Sequence, residues 1–185
     1  MGTLCFAMSI SVDGYIEDPT GSIGFSEPDE EVHRFHNQRT RATAAFLFGR
    51  GLYEVMEDFW TAPERADGGD VEAEFAREYV ATPRVVFSDS LKSVAPGCRL
   101  VRRADAVAEV VRLKRETDGD LGLGGAGLAA SLLDLIDEFQ PTVVPAFTGG
   151  GKPYFPLGAH LQLRLVEQRA FRNGTVHLRY VRSEQ

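Results

Sequence analysis

Between Gly119 and Glu138 the chain reads GDLGLGGAGLAASLLDLIDE. A short apolar run, Leu121 and Leu123, meets four glycines: Gly122, Gly124, Gly125 and Gly127. Beyond them Leu128, Leu132, Leu135 and Ile136 recur at helical spacing. The pattern predicts a strand, a tight turn and a helix. Glycine at such a turn takes positive φ and lets a ligand approach the backbone. The first helical turn then offers free N–H groups and the positive end of its dipole, which suit a phosphate or pyrophosphate. The competing reading is close packing of helix on strand through glycine. Gly122-x-Gly124-x-x-Gly127 has the letters of the dinucleotide fingerprint. It begins late, however, at residue 122 of 185. The next strand candidate, Thr142 to Phe147, ends in Thr148-Gly149-Gly150-Gly151, with no acid for a ribose. A pyrophosphate site at a helix start is retained, and a Rossmann domain is not.

The rest of the chain predicts elements that complete a sheet around this junction. Leu4 to Val12 is a first strand that stops at Asp13-Gly14, a turn signal. It lacks the basic flank of a signal peptide. Tyr15-Ile16 and Ser22-Ile23 flank a second turn. Glu27 to Arg41 predicts a polar helix capped by Ser26, with Val32 and Phe35 on its apolar face. Ala44 to Phe48 is a short buried strand that delivers the chain to Gly49-Arg50-Gly51 and a helix ending at Phe59-Trp60. This is a second strand–glycine–helix junction and a second candidate anion site. Thr61 to Asp70 is a polar loop, Val71 to Ala81 a helix, Arg84 to Phe87 and Arg99 to Val101 strands, and Ala106 to Glu116 a helix capped by Asp105. Gln162 to Phe171 and Val176 to Val181 alternate apolar and polar residues around Arg172-Asn173-Gly174-Thr175, a hairpin turn. The order predicts an α/β fold in one domain over residues 1–185, with a mostly parallel sheet and an antiparallel C-terminal hairpin.

Composition narrows the function classes. A net charge of −7 with no basic stripe argues against nucleic acid as the main partner. No run approaches the roughly 18 apolar residues of a membrane span. Two cysteines, Cys5 and Cys98, form no metal or redox motif, which fits free thiols in a reducing cytoplasm. The four histidines read as isolated, with His33 and His36 on a helix surface, and no metal is expected.

Four motifs, in this order and spacing, resemble the dihydrofolate reductase-like superfamily. They are Ser11-Val12-Asp13-Gly14-Tyr15-Ile16; Phe48-Gly49-Arg50-Gly51-Leu52-Tyr53-Glu54 with Phe59-Trp60; Leu123-Gly124-Gly125-Ala126-Gly127-Leu128; and Asp137-Glu138 through Pro145 to Gly149-Gly150-Gly151-Lys152-Pro153-Tyr154-Phe155. The chain is most similar to the reductase (C-terminal) domain of the bifunctional riboflavin deaminase-reductase. The resemblance covers nearly the whole chain. It implies a three-layer dihydrofolate reductase-like fold and NADPH binding without a Rossmann domain. It also implies that Gly124, Gly125, Ala126, Gly127 and Leu128 hold the pyrophosphate, that Gly49 and Arg50 face the cofactor phosphates, and that Ser88 and Ser90 face the adenosine ribose and its 2′-phosphate. Arg50 is the favoured cation for that phosphate, because a guanidinium forks onto its oxygens; Lys92 and Arg102 are substitutes. Ser9 and Ile16 are expected along the nicotinamide. A homodimer is a further expectation, with the terminal hairpin as a candidate surface.

Several residues carry two readings each. Asp13 is either a turn aspartate bonding backbone or a catalytic and substrate-binding carboxylate beside the nicotinamide. Glu31, four before Phe35, matches the spacing of the dihydrofolate reductase carboxylate that binds a pterin edge and assists protonation. It also sits in an acidic helix start, where carboxylates serve the dipole. Gly149-Gly150-Gly151-Lys152 is no Walker loop. It is either a mobile loop or a nest in which Gly150, Gly151 and Lys152 hold a substrate phosphate. Trp60 and Phe155 either wall a planar heterocycle or belong to the core. The expected activity is hydride transfer from NADPH to a C=N or C=O carbon of a pterin-like or ribosylamino-pyrimidine substrate. The alternatives are a true dihydrofolate reductase and a nucleotide-binding domain without catalysis.

Overall fold

β1 (Thr3–Ser11) is the strand on which the sheet is built, and the chain returns to it twice. The structure, a computed structural model, describes residues 1–67 and 69–183. Gly68, inside the loop expected over Thr61 to Asp70, lies outside them, as do Glu184 and Gln185. After β1 come β2 (Tyr15–Glu17), α1 (Glu30–Ala42), β3 (Thr43–Gly49), α2 (Arg50–Trp60), α3 (Pro63–Ala66), α4 (Val71–Ala81), β4 (Arg84–Phe87) and β5 (Cys98–Val101). Then follow α5 (Ala106–Glu116), β6 (Asp120–Gly124), α6 (Ala126–Ser131), β7 (Glu138–Val144), β8 (Lys152–Pro153), β9 (Leu163–Ala170) and β10 (Val176–Arg182). Eight strands form one sheet in the order β5-β4-β3-β6-β1-β7-β10-β9, and β2 pairs with β8 apart from it. From β5 to β7 neighbouring strands are parallel. β10 runs against both β7 and β9. The mostly parallel sheet with an antiparallel C-terminal strand pair is therefore present as expected.

Alternation along β1 divides the sheet into two faces. Leu4 and Phe6 lie beside Leu121 and Leu123 of β6 and, through them, Leu47 of β3. With Val110 of α5 and Leu128 of α6 they build the larger core. Full burial of such side chains contributes roughly 1.5–3 kcal/mol each. Cys5, Ala7, Ser9 and Ser11 take the other face. There α2 and α4 cover β3 and β4 through Phe48, Tyr53, Tyr79 and Val86. α1 covers the hairpin end through Val32, Phe35 and Phe171. Between these two patches β1 is left uncovered: Ala7 is exposed in the middle of the sheet and Ser9 is half-buried.

Some boundaries differ from expectation. The helix after the glycines is only six residues long, and β7 begins at Glu138 instead of Thr142. Leu132 and Ile136 sink into the core, each 1% exposed, and the backbone must straighten early to pair Glu138 with Cys5. α1 begins at Glu30, and its cap is Asp29, whose carboxylate accepts the Val32 N–H at 2.9 Å. Pro28 disfavours helical geometry at the residue before it, and Ser26 bonds the Ile23 carbonyl instead. Asp105 precedes α5 without a side-chain capping bond. Among the described residues no helix is long and apolar enough to cross a membrane.

Candidate functional site

Parallel strands put their carboxyl ends on one edge, where ligands of open α/β sheets bind at a topological switch point. Here that edge collects Asp13 after β1, Arg50 after β3, Ser88 after β4, Gly125 after β6 and Thr148 after β7. The chain builds outward from β3 to β5, then returns to place β6 between β3 and β1. The glycine turn after β6 therefore sits at the reversal.

The sites expected for the nucleotide come together at this edge. Arg50, half-exposed, donates to Ser90 Oγ at 3.1 Å and to Glu54 Oε1 at 2.7 Å. Ser88 Oγ lies 3.3 Å from Ser90 Oγ and accepts the amides of Ser90 and Leu91 at 3.2 and 3.1 Å. Ser88 is thus spent on shaping its loop, whereas Ser90 is exposed. Arg102, a substitute cation in the sequence reading, donates to the carbonyls of Ser88, Asp89 and Leu91 and so clamps the same loop. Gly49 abuts Leu128, a built Cβ lying 3.6 Å from the leucine Cβ. This contact joins the two strand–glycine–helix junctions. The amides of Ala126, Gly127 and Leu128 open α6 and have no intrahelical acceptor.

A second cluster closes the substrate side. Asp13 Oδ2 accepts Gly149 N–H at 2.8 Å, and Oδ1 accepts Thr148 N–H at 3.2 Å. Partial burial raises its pKa, but hydrogen bonds from Ser11, Thr148 and Gly149 outweigh that and hold it below the usual carboxylate range. Asp13 is therefore an ionised clasp between two loops. Gly151 is required by its place: φ is +124° and a Cβ would lie 1.8 Å from the Glu17 carbonyl oxygen. Gly150 precedes it at φ +151°. Lys152 pairs with Glu17 at 2.6 Å. Phe155 is 39% exposed, its ring packed against Tyr154 and Phe139.

Other expected residues lie elsewhere. Ile16 is 4% exposed within the larger core, turned inward as β2 pairs with β8. Trp60 is about 15 Å along α2 from Arg50, packed against Phe59, Phe75 and His33. Its aromatic neighbours are the protein's own. Glu31 bonds the hairpin turn through Arg172 N and Nε, at 3.3 and 3.1 Å. That hydrogen bonding from Arg172 lowers its pKa.

The histidines correct the sequence reading most. His33 is buried and its Nδ1 pairs with Asn37 Oδ1 at 3.1 Å. His177 is 1% exposed, bonded through Nδ1 to Thr142 Oγ1 at 3.1 Å, with Nε2 buried and without a partner among the described residues. Thr142 is in register with both Ser9 and His177. His36 is half-buried on α1. Arg39, one turn further along the same side of the helix, bonds Gln140, the partner of Ala7. Burial, then His33 and Arg39, push its pKa down to about 4. Burial, then Arg39 and His36, push that of His177 to about 3. The signal available in the sequence was the run of small residues Cys5, Ala7, Ser9 and Ser11 on one face of β1, which leaves room for a ligand.

Known proteins resemble this chain over nearly its whole length. The uncharacterized protein YyaP of Bacillus subtilis (strain 168) is 27% identical over 94% of this chain and 91% of its own length. A Shewanella sp. PV-4 protein named for riboflavin biosynthesis superposes with a TM-score of 0.72 at 21% identity, covering 98% of this chain and 99% of that one. Dihydrofolate reductase from Enterococcus faecalis, complexed with NADP(H) and RAB-propyl, superposes with a TM-score of 0.66 at 13% identity, covering 99% and 98%. These likenesses establish the dihydrofolate reductase-like fold. The sequence profile of the RibD C-terminal domain matches residues 3–177, and the chain belongs to that family.

Proposed function

We propose that the chain is an NADPH-dependent reductase acting on a C=N or C=O carbon of a ribosylamino-pyrimidine or pterin-like substrate. The observation that carries the reading is the convergence of Arg50 and Ser90 with the open amides of α6 at one end of a groove whose floor, Ala7 and Ser9, is uncovered. The fit of a phosphorylated dinucleotide is good. Arg50 is an exposed cation for a 2′-phosphate, and the Gly127 position leaves the space beside the amides free. When bound, NADPH would supply the hydride. The protein's part is to hold both reactants over β1 and keep water out. Asp13, ionised and bonded to the loop at Thr148 and Gly149, fixes the substrate-side wall and is no proton donor, which leaves the proton to solvent. The family and the riboflavin-named neighbour support the pyrimidine substrate; a homodimer belongs to the same reading. The pairing of Glu31 with Arg172 weighs against dihydrofolate as the substrate.

A fluorescence titration with NADPH and NADH tests the cofactor reading. The expected result is tighter NADPH binding, with the preference lost in Arg50→Ala by about tenfold or more. Failure of the wild-type protein to bind either cofactor would remove the reductase reading.

A further inference from the structure

The loop that carries Ser90 leaves β4 at Ser88, and both of its rims are tied down from within the chain. On the amide side, Ser88 Oγ accepts the N–H groups of Ser90 and Leu91 at 3.2 and 3.1 Å. On the carbonyl side, a single nitrogen, Arg102 Nη1, donates to the oxygens of Ser88, Asp89 and Leu91 at 3.0, 3.2 and 3.0 Å. Three carbonyls gathered on one charged nitrogen make Arg102 the loop's built-in counter-ion. The one acid between Ser88 and Gly97 is Asp89, and its Oδ1 accepts the Arg103 N–H at 3.0 Å. Ser90 Oγ meets Arg50 Nη1 at 3.1 Å, while Glu54 Oε1 takes Arg50 Nε at 2.7 Å. The Arg50 guanidinium is therefore held at two points, one on its own helix and one on this loop.

We propose that Arg102 is a positioning residue that sets the preference for a 2′-phosphorylated cofactor, acting through the loop on Ser90 and Arg50 without touching the phosphate. The proposal deepens the reductase reading and rests on it for the place of the adenosine end. An acid beside the adenosine ribose favours the unphosphorylated cofactor, and an arginine favours the phosphate. This end of the sheet holds both kinds of group. With Arg102 in place, Asp89 stays turned to the Arg103 amide, and Ser90 engages the arm of Arg50 that Glu54 leaves open. Without it, three carbonyls lose their donor and the loop relaxes. Arg50 then keeps only Glu54, a carboxylate that competes with a phosphate for the guanidinium. The geometry also says which substitution can replace Arg102. All three contacts fall on one nitrogen, and a lysine ammonium carries three donors on one atom. A two-pronged grip on a phosphate has no such substitute, because lysine lacks the planar fork.

The test is fluorescence titration with NADPH and with NADH of the parent, Arg102→Met, Arg102→Lys, Arg50→Ala and the Arg50→Ala/Arg102→Met double variant. Arg102→Met is expected to weaken NADPH by about fivefold or more and NADH by less than about twofold. Arg102→Lys should bind NADPH within about twofold of the parent. The double variant should bind NADPH as Arg50→Ala alone does, since residues that act through one another are not additive. Unchanged NADPH affinity in Arg102→Met would overturn the proposal. Equal weakening of both cofactors would also overturn it, because the loop would then have lost its shape without any effect on selectivity. So would a loss that Arg102→Lys leaves unrepaired, or a double variant whose loss is the product of the two single losses, since each marks direct contact with the phosphate. The parent protein separates the two readings. A parent that binds neither cofactor removes the reductase itself, whereas a parent that prefers NADPH with no response to Arg102→Met removes only the role of Arg102.

Discussion

At the scale of single residues, the glycine run divides by cause. Gly124 is small because Leu52 and Phe48 crowd it, at 2.4 and 3.2 Å from a built Cβ. Gly125 is glycine because its φ is +93°. Gly127 has neither reason: no atom comes within 4 Å of a built Cβ and its φ is not positive. It stands in the first turn of α6, where alanine is the better helix former. The open space beside it is where the cofactor of the proposed reading would approach the amides. Gly127→Ala is therefore expected to raise the stability of the ligand-free protein by about 0.5–1 kcal/mol, read from urea unfolding. The same change should weaken NADPH by about tenfold, because the added methyl occupies the space beside the amides. Unchanged cofactor affinity would mean that the space beside Gly127 holds no phosphate.

At the scale of elements, α1 is where the sequence was least able to speak. Its periodicity located a helix with Val32 and Phe35 inward, and both are buried. The spacing of Glu31 from Phe35 then pointed to a substrate carboxylate. Phe35 in fact faces Phe171 and His177, so the helix is rolled toward the hairpin. That roll sends Glu31 to Arg172. No local pattern encodes it, since it depends on where the last two strands dock. By contrast the glycine turns, the Asp13-Gly14 turn and the Arg50 helix start were legible, because turns and helix starts are set by neighbours in sequence. The hairpin turn was legible for the same reason. α6 came out shorter than its leucine spacing implied, since burial of Leu132 and Ile136 decided the backbone path. The tie from Glu31 to Arg172 is an exposed ion pair, with Arg172 89% exposed, and solvent screens it to a minor contribution. Glu31→Ala is accordingly expected to leave the urea-unfolding midpoint nearly unchanged and turnover of the pyrimidine substrate within about twofold of the unmodified protein. A loss of activity by orders of magnitude in steady-state assays would restore Glu31 as the reactive carboxylate.

At the scale of the whole molecule, the packing of α1 on the sheet sets acid stability. Both imidazoles between α1 and the sheet are held neutral in the folded chain, at about 4 for His36 and about 3 for His177. In the unfolded chain they take protons near pH 6.5. Between those values the unfolded state binds more protons, so stability falls as pH falls. The slope is up to about 1.4 kcal/mol per pH unit for fully buried His177 and less for half-buried His36. The lowered carboxylates Asp13 and Glu31 act in a different window. Their contribution is complete above the ordinary carboxylate range and is lost only as pH falls through their depressed values. Asp120, raised by burial and then by Glu138, opposes the histidines. Comparing variant with parent cancels its effect. Urea unfolding at pH 6.5 and pH 4.5 should therefore show the parent losing about 2 kcal/mol more than His177→Phe does. The melting temperatures of the two proteins should converge or cross on acidification. Equal losses in the two would mean that His177 titrates as it does in water, and that the space between α1 and the sheet is wet instead of closed.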